Sequence, residues 1–169
     1  LYTSIDFSNN VLLDNLNVDT NANLSSINIS QNPLIDRLDI SECAFTSLDI
    51  SNLINLTEID IANNNISSID FTNNTALEEV YVSNNPLVSI DVSNLTSLTD
   101  FFAINAQLTS LNIRNGNNTN FDEFNVTNSP NLTCILVDDA AYAGTNFTDI
   151  DATANFTSTD YCRYTAIPD

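Results

Sequence analysis

The chain has 169 residues, 43% of them hydrophobic, and its 22 acidic residues against three arginines give a net charge of −19 with no lysine or histidine. Without clustered basic residues, so negative a chain is not expected to bind nucleic acid or anionic membranes. Its apolar runs are too short for a transmembrane helix, so we expect no membrane insertion. The hydrophobic fraction is high enough to form a core, which argues against intrinsic disorder.

The sequence repeats itself about every 21 residues. The stretch from Leu56 to Ala76 is followed without a gap by the stretch from Leu77 to Ser97, with apolar and Asn positions in the same register. A repeat of this length is typical of a solenoid in which each repeat forms one coil. The pattern L-x-x-L-x-L-x-x-N starts at Leu13, Ile35, Leu56, Leu77, Leu98 and Phe121.

Each repeat has two halves. In the first half apolar and outward residues alternate, as Val80 and Val82 do around Tyr81, and this predicts a short strand buried on one face. Stacked repeats therefore predict a short-stranded parallel sheet on the concave side of the solenoid. The returning half is too short and too rich in Ser, Asn and β-branched residues for an α-helix, which predicts an extended or turn-like convex side with little helix.

Asparagine recurs where each predicted strand ends. Its amide can bond backbone groups as the chain turns inward, so we predict a structural role for this column, the Asn ladder. Its members are Asn21, Cys43, Asn64 and Asn85, continued by Ala106 and Ser129. Cys43 is interpreted as a small buried substitute with a free thiol. Because Ala106 cannot bond in this way, we expect the most irregular region between Ala106 and Phe121, where GNNTN (residues 116–120) adds a surface bulge.

The repeat ends after Val137, and residues 138–162 are interpreted as a C-terminal cap. Four apolar residues in this polar stretch can cover the last open core of the solenoid. They are Tyr142, Phe147, Ile150 and Phe156. One short helix is expected near Asp138 to Tyr142. Cys134 opens the last coil and Cys162 ends the cap, so these two are predicted to form a disulfide in an oxidising compartment.

The tandem pattern L-T-x-L-D-x-S-N-N, with Cys43 in place of one ladder Asn, resembles the 21-residue leucine-rich repeats of secreted and cell-surface proteins from flavobacteria and their relatives. The resemblance covers residues 1–137 and implies a secreted or cell-surface protein. The C-terminal segment that ends at residue 162, which contains the predicted cap (residues 138–162), looks like the cap that closes such arrays. Residues 163–169 (RYTAIPD) are similar to the start of another array, and so are expected to be a linker or the start of a following module. Because Leu1 falls partway through a repeat, we expect a piece of a longer protein, truncated within its solenoid.

No catalytic constellation is evident, so we predict a protein that is not an enzyme and has no cofactor. The chain lacks His, Lys and a Gly-rich phosphate loop, and a serine nucleophile would have no evident base. Glu78 and Glu79 are paired carboxylates, but neighbouring side chains diverge on a strand.

The outward residues of the concave strands are the candidate ligand-binding residues. Ten of these eighteen positions are acidic, and Tyr81 and Phe102 should be stacked neighbours. Exposed aromatic rings among polar residues are typical of binding surfaces. The alternative is that the two rings only pack on each other as a cross-strand pair. The candidates are Tyr81, Phe102, Glu58, Asp60, Glu79, Asp100, Arg37 and Asp39.

A column of carboxylates is predicted along the returning side, centred on Asp49, Asp70 and Asp91. Neighbours in stacked parallel coils lie ~5 Å apart and repel each other unless ions or hydrogen bonds intervene. Such a column could bind cations weakly, calcium among them. The alternative is that each Asp bonds backbone amides of its own turn. No other metal site is predicted.

The leading hypothesis is an extracellular, non-enzymatic adhesion module. It would bind a protein or surface polymer through its acidic concave face, and would be a monomer in isolation. The alternative is a carbohydrate-binding module in which Tyr81 and Phe102 stack on sugar rings. A more remote alternative is binding to ice or a crystalline surface by the Thr-Ser column of the returning half.

Overall fold

The computed structural model describes residues 2–159, which form coils whose regular secondary structure is almost entirely three-residue parallel strands, joined by turns. The described elements are β1 (Ser4–Asp6), β2 (Asn15–Asn17), β3 (Ser26–Asn28), β4 (Arg37–Asp39), β5 (Glu58–Asp60), β6 (Glu79–Tyr81), β7 (Ser89–Asp91), β8 (Asp100–Phe102), β9 (Ser110–Asn112), a 3-10 helix (Asn118–Asn120), β10 (Glu123–Asn125), β11 (Cys134–Leu136), α1 (Ala140–Asn146) and β12 (Asn155–Thr157). The predicted solenoid with little helix is confirmed.

The concave sheet contains the six strands that close the first half of each repeat, in the order β10-β8-β6-β5-β4-β2. Each strand pairs with its neighbour in equivalent register, so that Glu79 lies opposite Glu58 on one side and Asp100 on the other. The central residue of each strand is buried, as Ile59 and Val80 are. The alternation in the sequence therefore predicted the correct face, and a one-residue shift would have reversed it.

The convex side is extended, but its sheet is interrupted. Strands β1 and β3 pair with each other, and β7, β9, β11 and β12 form a separate four-stranded sheet. The intervening segments 46–49 and 67–70 form no strand. An unbroken concave sheet opposite an interrupted convex sheet fits a stack of coils that is tighter on the concave side.

The ladder residues Asn64 and Asn85 hold the strand-closing turns from inside the molecule. The Asn85 side-chain amide donates to the Ile61 oxygen of the preceding coil at 2.8 Å and to the Val82 oxygen of its own turn at 3.2 Å. Its Oδ1 accepts the Ile66 N–H at 2.9 Å. Each of these side chains thus joins two coils and satisfies backbone groups that water cannot reach.

The ends of the ladder differ from its centre. Asn21 is exposed and donates only within its own turn, to Val18 and Asp19 oxygens, so it does not join coils. The Cys43 thiol is free, half-buried, and donates to the Val18 oxygen at 3.3 Å. Burial raises the pKa of that thiol, which keeps it protonated. Ser129 donates through its hydroxyl to the Ala106 oxygen.

The predicted surface bulge at residues 116–120 is only partly a surface feature. Gly116 is exposed with a φ of +78°, a conformation that glycine adopts without steric cost. Asn118, however, is only 2% exposed, because its amide donates to the Ile113 oxygen inside the coil. Its Oδ1 accepts the Asp138 N–H, so this loop fastens the last coil to the cap. Sequence reasoning missed this role because Asn is usually a surface residue in loops.

The cap continues the solenoid rather than only covering it. The helix α1 begins later and extends further than predicted, with Asp139 as its N-cap accepting the Ala141 and Tyr142 N–H groups. Phe147 lies buried at its end, and β12 adds a strand to the convex sheet beside β11. Cys162 and residues 163–169 lie outside the described residues, so the Cys134–Cys162 disulfide and the linker stay predictions.

Candidate ligand-binding face

The aromatic pair predicted from the register lies on two inner strands of the concave sheet, toward its cap end. Tyr81 on β6 and Phe102 on β8 are partners in register, and their ring centroids are 5.3 Å apart with an interplanar angle of 20°. Both residues are half-buried. The rings therefore do pack on each other, as the alternative held, while each keeps part of its surface open to a ligand.

Tyr81 is oriented by its own strand. Its hydroxyl donates to Glu79 Oε2 at 2.8 Å. Burial, reinforced by this hydrogen bond and the charge on Glu79, raises the pKa of Tyr81 above its ordinary value. The phenol is therefore protonated at physiological pH, and one oxygen of Glu79 already has a donor.

Asp39 and Asp60 contribute to the turns that follow their strands. Asp39 accepts the Ser41 N–H at 2.9 Å, and Asp60 accepts the Ala62 N–H at 2.8 Å. Burial raises the pKa of Asp60, and the negative charge of Asp39 adds to that effect. Both side chains are predicted ligand-binding residues, but the protein itself uses one oxygen of Asp60 and both oxygens of Asp39, whose Oδ2 accepts an amide hydrogen of Asn17 at 3.0 Å.

The remaining candidates form the next column of the same face. Arg37 and Glu58 form an ion pair of 3.1 Å between Nη1 and Oε2, with the Arg37 side chain 60% exposed. Exposed pairs of this kind add little stability. Asp100 accepts the hydroxyl of Thr99 at 2.7 Å. The fold thus brings all eight candidates onto one face, in two adjacent columns along β4, β5, β6 and β8.

Sequence reasoning missed a cleft at the cap end of this face. The cleft has a volume of about 430 Å³. Phe102 lines it, together with residues of β10 and of α1. Tyr142 and Phe147 had been predicted only as cover for the core. The lining residues are Phe102, Phe121, Asp122, Glu123, Phe124, Asn125, Tyr142, Asn146, Phe147, Thr148 and Asp149.

The carboxylates of the returning side are held by their own turns. Asp49 accepts the Ser51 N–H and Asp70 accepts the N–H and hydroxyl of Thr72. Hydrogen bonds with the side chain and then the backbone N–H of Ser51 lower the pKa of Asp49, and those of Thr72 lower the pKa of Asp70 in the same way. Asp91 accepts the Ser93 N–H and an amide hydrogen of Asn112 from the next coil. Among residues 2–159, no group of three or more His, Cys, Asp or Glu side chains is arranged to hold a metal ion.

Comparison with known proteins follows the same repeats. Residues 54–95 match the family described as Leucine Rich repeats (2 copies). The functional domain of InlJ from Listeria monocytogenes, which includes a cysteine ladder, matches 94% of this chain with a TM-score of 0.57 and 23% identity. The fold is a leucine-rich repeat solenoid. A search of the curated proteins found no match to the chain.

A leucine-rich repeat protein of Leptospira interrogans is also similar, with 15% identity, a TM-score of 0.43 and 93% of this chain covered. The chain spans 44% of the InlJ domain and 47% of the Leptospira protein, less than half of either. Within the described part of the chain, no helix is long and apolar enough to cross a membrane.

Proposed function

We propose that this leucine-rich repeat chain is a non-enzymatic binding module of a secreted or cell-surface protein, and that it recognises a protein partner through its acidic concave face. The observation that carries the proposal is the stacked, half-buried pair Tyr81 and Phe102 among carboxylates on that face. Solenoids typically bind partners on such extended concave surfaces. A secreted or surface location is supported by the sequence resemblance.

The chemistry of the face indicates a basic partner with an apolar contact. The column Glu58, Glu79 and Asp100 is negative, and Arg37 next to it is already paired with Glu58. The chain as a whole has a net charge of −19. Complementary charge steers association and is screened by salt, so binding is expected to weaken as ionic strength rises.

The test is a binding screen with an immobilised chain against purified extracellular proteins and an array of neutral glycans. We expect at least one protein ligand whose Kd weakens more than tenfold in the double variant Tyr81→Ala, Phe102→Ala. The matched control is Val88→Ala, which removes an apolar side chain that is 50% exposed on the convex side. This control should keep wild-type affinity.

Two results would count against the proposal. A protein ligand bound equally well by the wild type and the double variant would place the binding site elsewhere. A neutral glycan that loses affinity in the double variant and is insensitive to salt would instead make the same face a carbohydrate-binding surface.

A further inference from the structure

The cleft at the cap end combines aromatic walls with carboxylates. Phe102, Phe121 and Tyr142 line it from the sheet side and the helix side, and all three are half-buried. Asp122, Glu123 and Asp149 line it as exposed side chains. Among the cleft residues that the structure describes there is no arginine. The cleft volume of about 430 Å³ falls in the range of small-molecule pockets, which runs from roughly 300 to 1,000 Å³.

The walls of the cleft are fixed by packing and by backbone hydrogen bonds. Phe147 packs against Phe124 with ring centroids 4.7 Å apart and meets Tyr142 edge-on at 6.1 Å. The Val126 N–H donates to the Asp149 oxygen, which joins the cap to the last concave strand. The Tyr142 hydroxyl donates to the Thr119 oxygen at 3.3 Å. A ligand would therefore enter a cleft that is already formed.

The three cleft carboxylates differ from most acids of the chain. Asp60, Asp70 and Asp139 accept backbone N–H groups of their own turns or helix. Within the described residues, the carboxylate oxygens of Asp122, Glu123 and Asp149 accept no hydrogen bond and form no ion pair. Their acceptors are thus open toward the cleft, beside the aromatic rings.

We infer that this cleft binds the guanidinium group of an arginine side chain presented by the protein partner, an inference that rests on the proposed function. A guanidinium is planar, is weakly hydrated for a cation, and stacks on aromatic faces while its N–H groups donate to carboxylates. The lysine ammonium is compact and strongly hydrated, and so matches an aromatic wall less well. Phe102 belongs both to the aromatic pair and to the cleft, so one partner segment can contact both.

The experiment titrates the folded, ¹⁵N-labelled chain with N-acetyl-arginine amide and follows backbone amide shifts. Shifts are expected in residues 121–125 and 142–149, with the lysine analogue binding more weakly. The neutral citrulline analogue, which keeps the shape and loses the charge, should bind at least tenfold more weakly. The variant Glu123→Gln, Asp149→Asn should weaken the arginine probe at least tenfold. The matched control Asp14→Asn, Glu78→Gln makes the same charge change at exposed positions of the same face. This control should bind the arginine probe as tightly as the wild type does.

Equal binding of the arginine and citrulline probes would overturn the assignment, as would equal losses in the two double variants. Shifts spread evenly over the acidic face would show general attraction of a cation and would also overturn it. If a protein ligand depends on Tyr81 and Phe102 while the arginine probe does not bind the cleft, the inference is wrong and the proposed function stands. If the probe binds the cleft while a protein ligand ignores the aromatic pair, the proposed function is wrong.

Discussion

Every coil turns twice, and the two turns use asparagine differently. At the strand-closing turn both ends of the Asn85 amide are used, since Oδ1 accepts the Ile66 N–H and Nδ2 donates to the Val82 and Ile61 oxygens. At the opposite turn Asn74 is as deeply buried and donates to the Ile50 and Leu53 oxygens, but its Oδ1 has no partner.

The difference lies in what the backbone can do without the side chain. Asn85 is the described partner of the Ile66 N–H and of the Val82 oxygen. The Ile50 and Leu53 oxygens, by contrast, also accept the Leu53 and Leu56 N–H groups. The chain accordingly alternates at the opposite turn, where four successive coils have Asn32, Leu53, Asn74 and Leu95. Equally buried asparagines can therefore differ in role, since one is the described partner of backbone groups and the other adds to hydrogen bonds that the backbone already makes.

The largest expected effect is at the strand-closing turn. Asn85→Ala introduces the residue that Ala106 supplies in the same column, and should lower the free energy of unfolding by about 3 kcal/mol. It leaves the Ile66 N–H and the Val82 oxygen without a partner, at about 1 to 3 kcal/mol for each unsatisfied group. Urea unfolding followed by circular dichroism measures the change.

The matched variant at the opposite turn is Asn74→Leu, which introduces the residue found at Leu53 and Leu95. It should cost about 1 kcal/mol or less, because both carbonyls keep a donor and the orphan Oδ1 is removed. A loss as large as that of Asn85→Ala in the same urea experiment would show that the two turns depend on asparagine equally.

A smaller effect is expected from the residue that precedes each ladder position. This residue is left-handed in every coil, with φ between 54° and 60°, and it is Asn at positions 63, 84, 105 and 128. At Thr20 the β-branched side chain is strained in this conformation. Thr20→Asn should therefore raise the free energy of unfolding by about 1 kcal/mol. The reverse change, Asn84→Thr, should lower the free energy of unfolding by a similar amount. If Asn is no more stabilising than Thr at either position, the backbone strain at Thr20 is contradicted.

The smallest effect is a difference in pH dependence between the acids next to the two turns. Because the pKa of Asp60 is raised, the folded protein binds the Asp60 proton more tightly than the unfolded chain does. The stability that this adds is fully present below the ordinary value of 3.8 and is lost as pH rises through the folded pKa. The lowered pKa of Asp70 gives the opposite pH dependence. The stability that the Asp70 carboxylate adds is present above 3.8 and is lost as pH falls through the folded pKa.

Urea midpoints at pH 3 and pH 7 test this difference. Asp60→Asn should gain stability relative to the wild type as pH rises, because the wild type alone must keep a desolvated charge. Asp70→Asn should lose stability relative to the wild type over the same range. The same trend in both variants would mean that burial does not distinguish the two carboxylates.

The sequence alone determined the architecture. The 21-residue period placed one coil per repeat, and the alternation around Val80 and Ile59 assigned the core face correctly. It also placed Tyr81 beside Phe102, because equivalent positions of stacked coils must be neighbours. These features depend on a local pattern that occurs in every repeat, so each repeat independently supports the same assignment.

The tertiary structure decided the features that occur once. The cleft exists because the cap places Tyr142 of α1, and Asp149 after it, beside β10 at the end of the concave face. Asn118 donates to the Ile113 oxygen inside the coil and accepts the Asp138 N–H across the cap boundary. Burial raises the pKa of Asp60, whereas hydrogen bonds from Thr72 lower the pKa of the exposed Asp70, although both carboxylates accept an N–H two residues ahead. Each outcome depends on which neighbours surround a side chain, and a local sequence pattern does not encode the neighbours that non-equivalent segments acquire on folding.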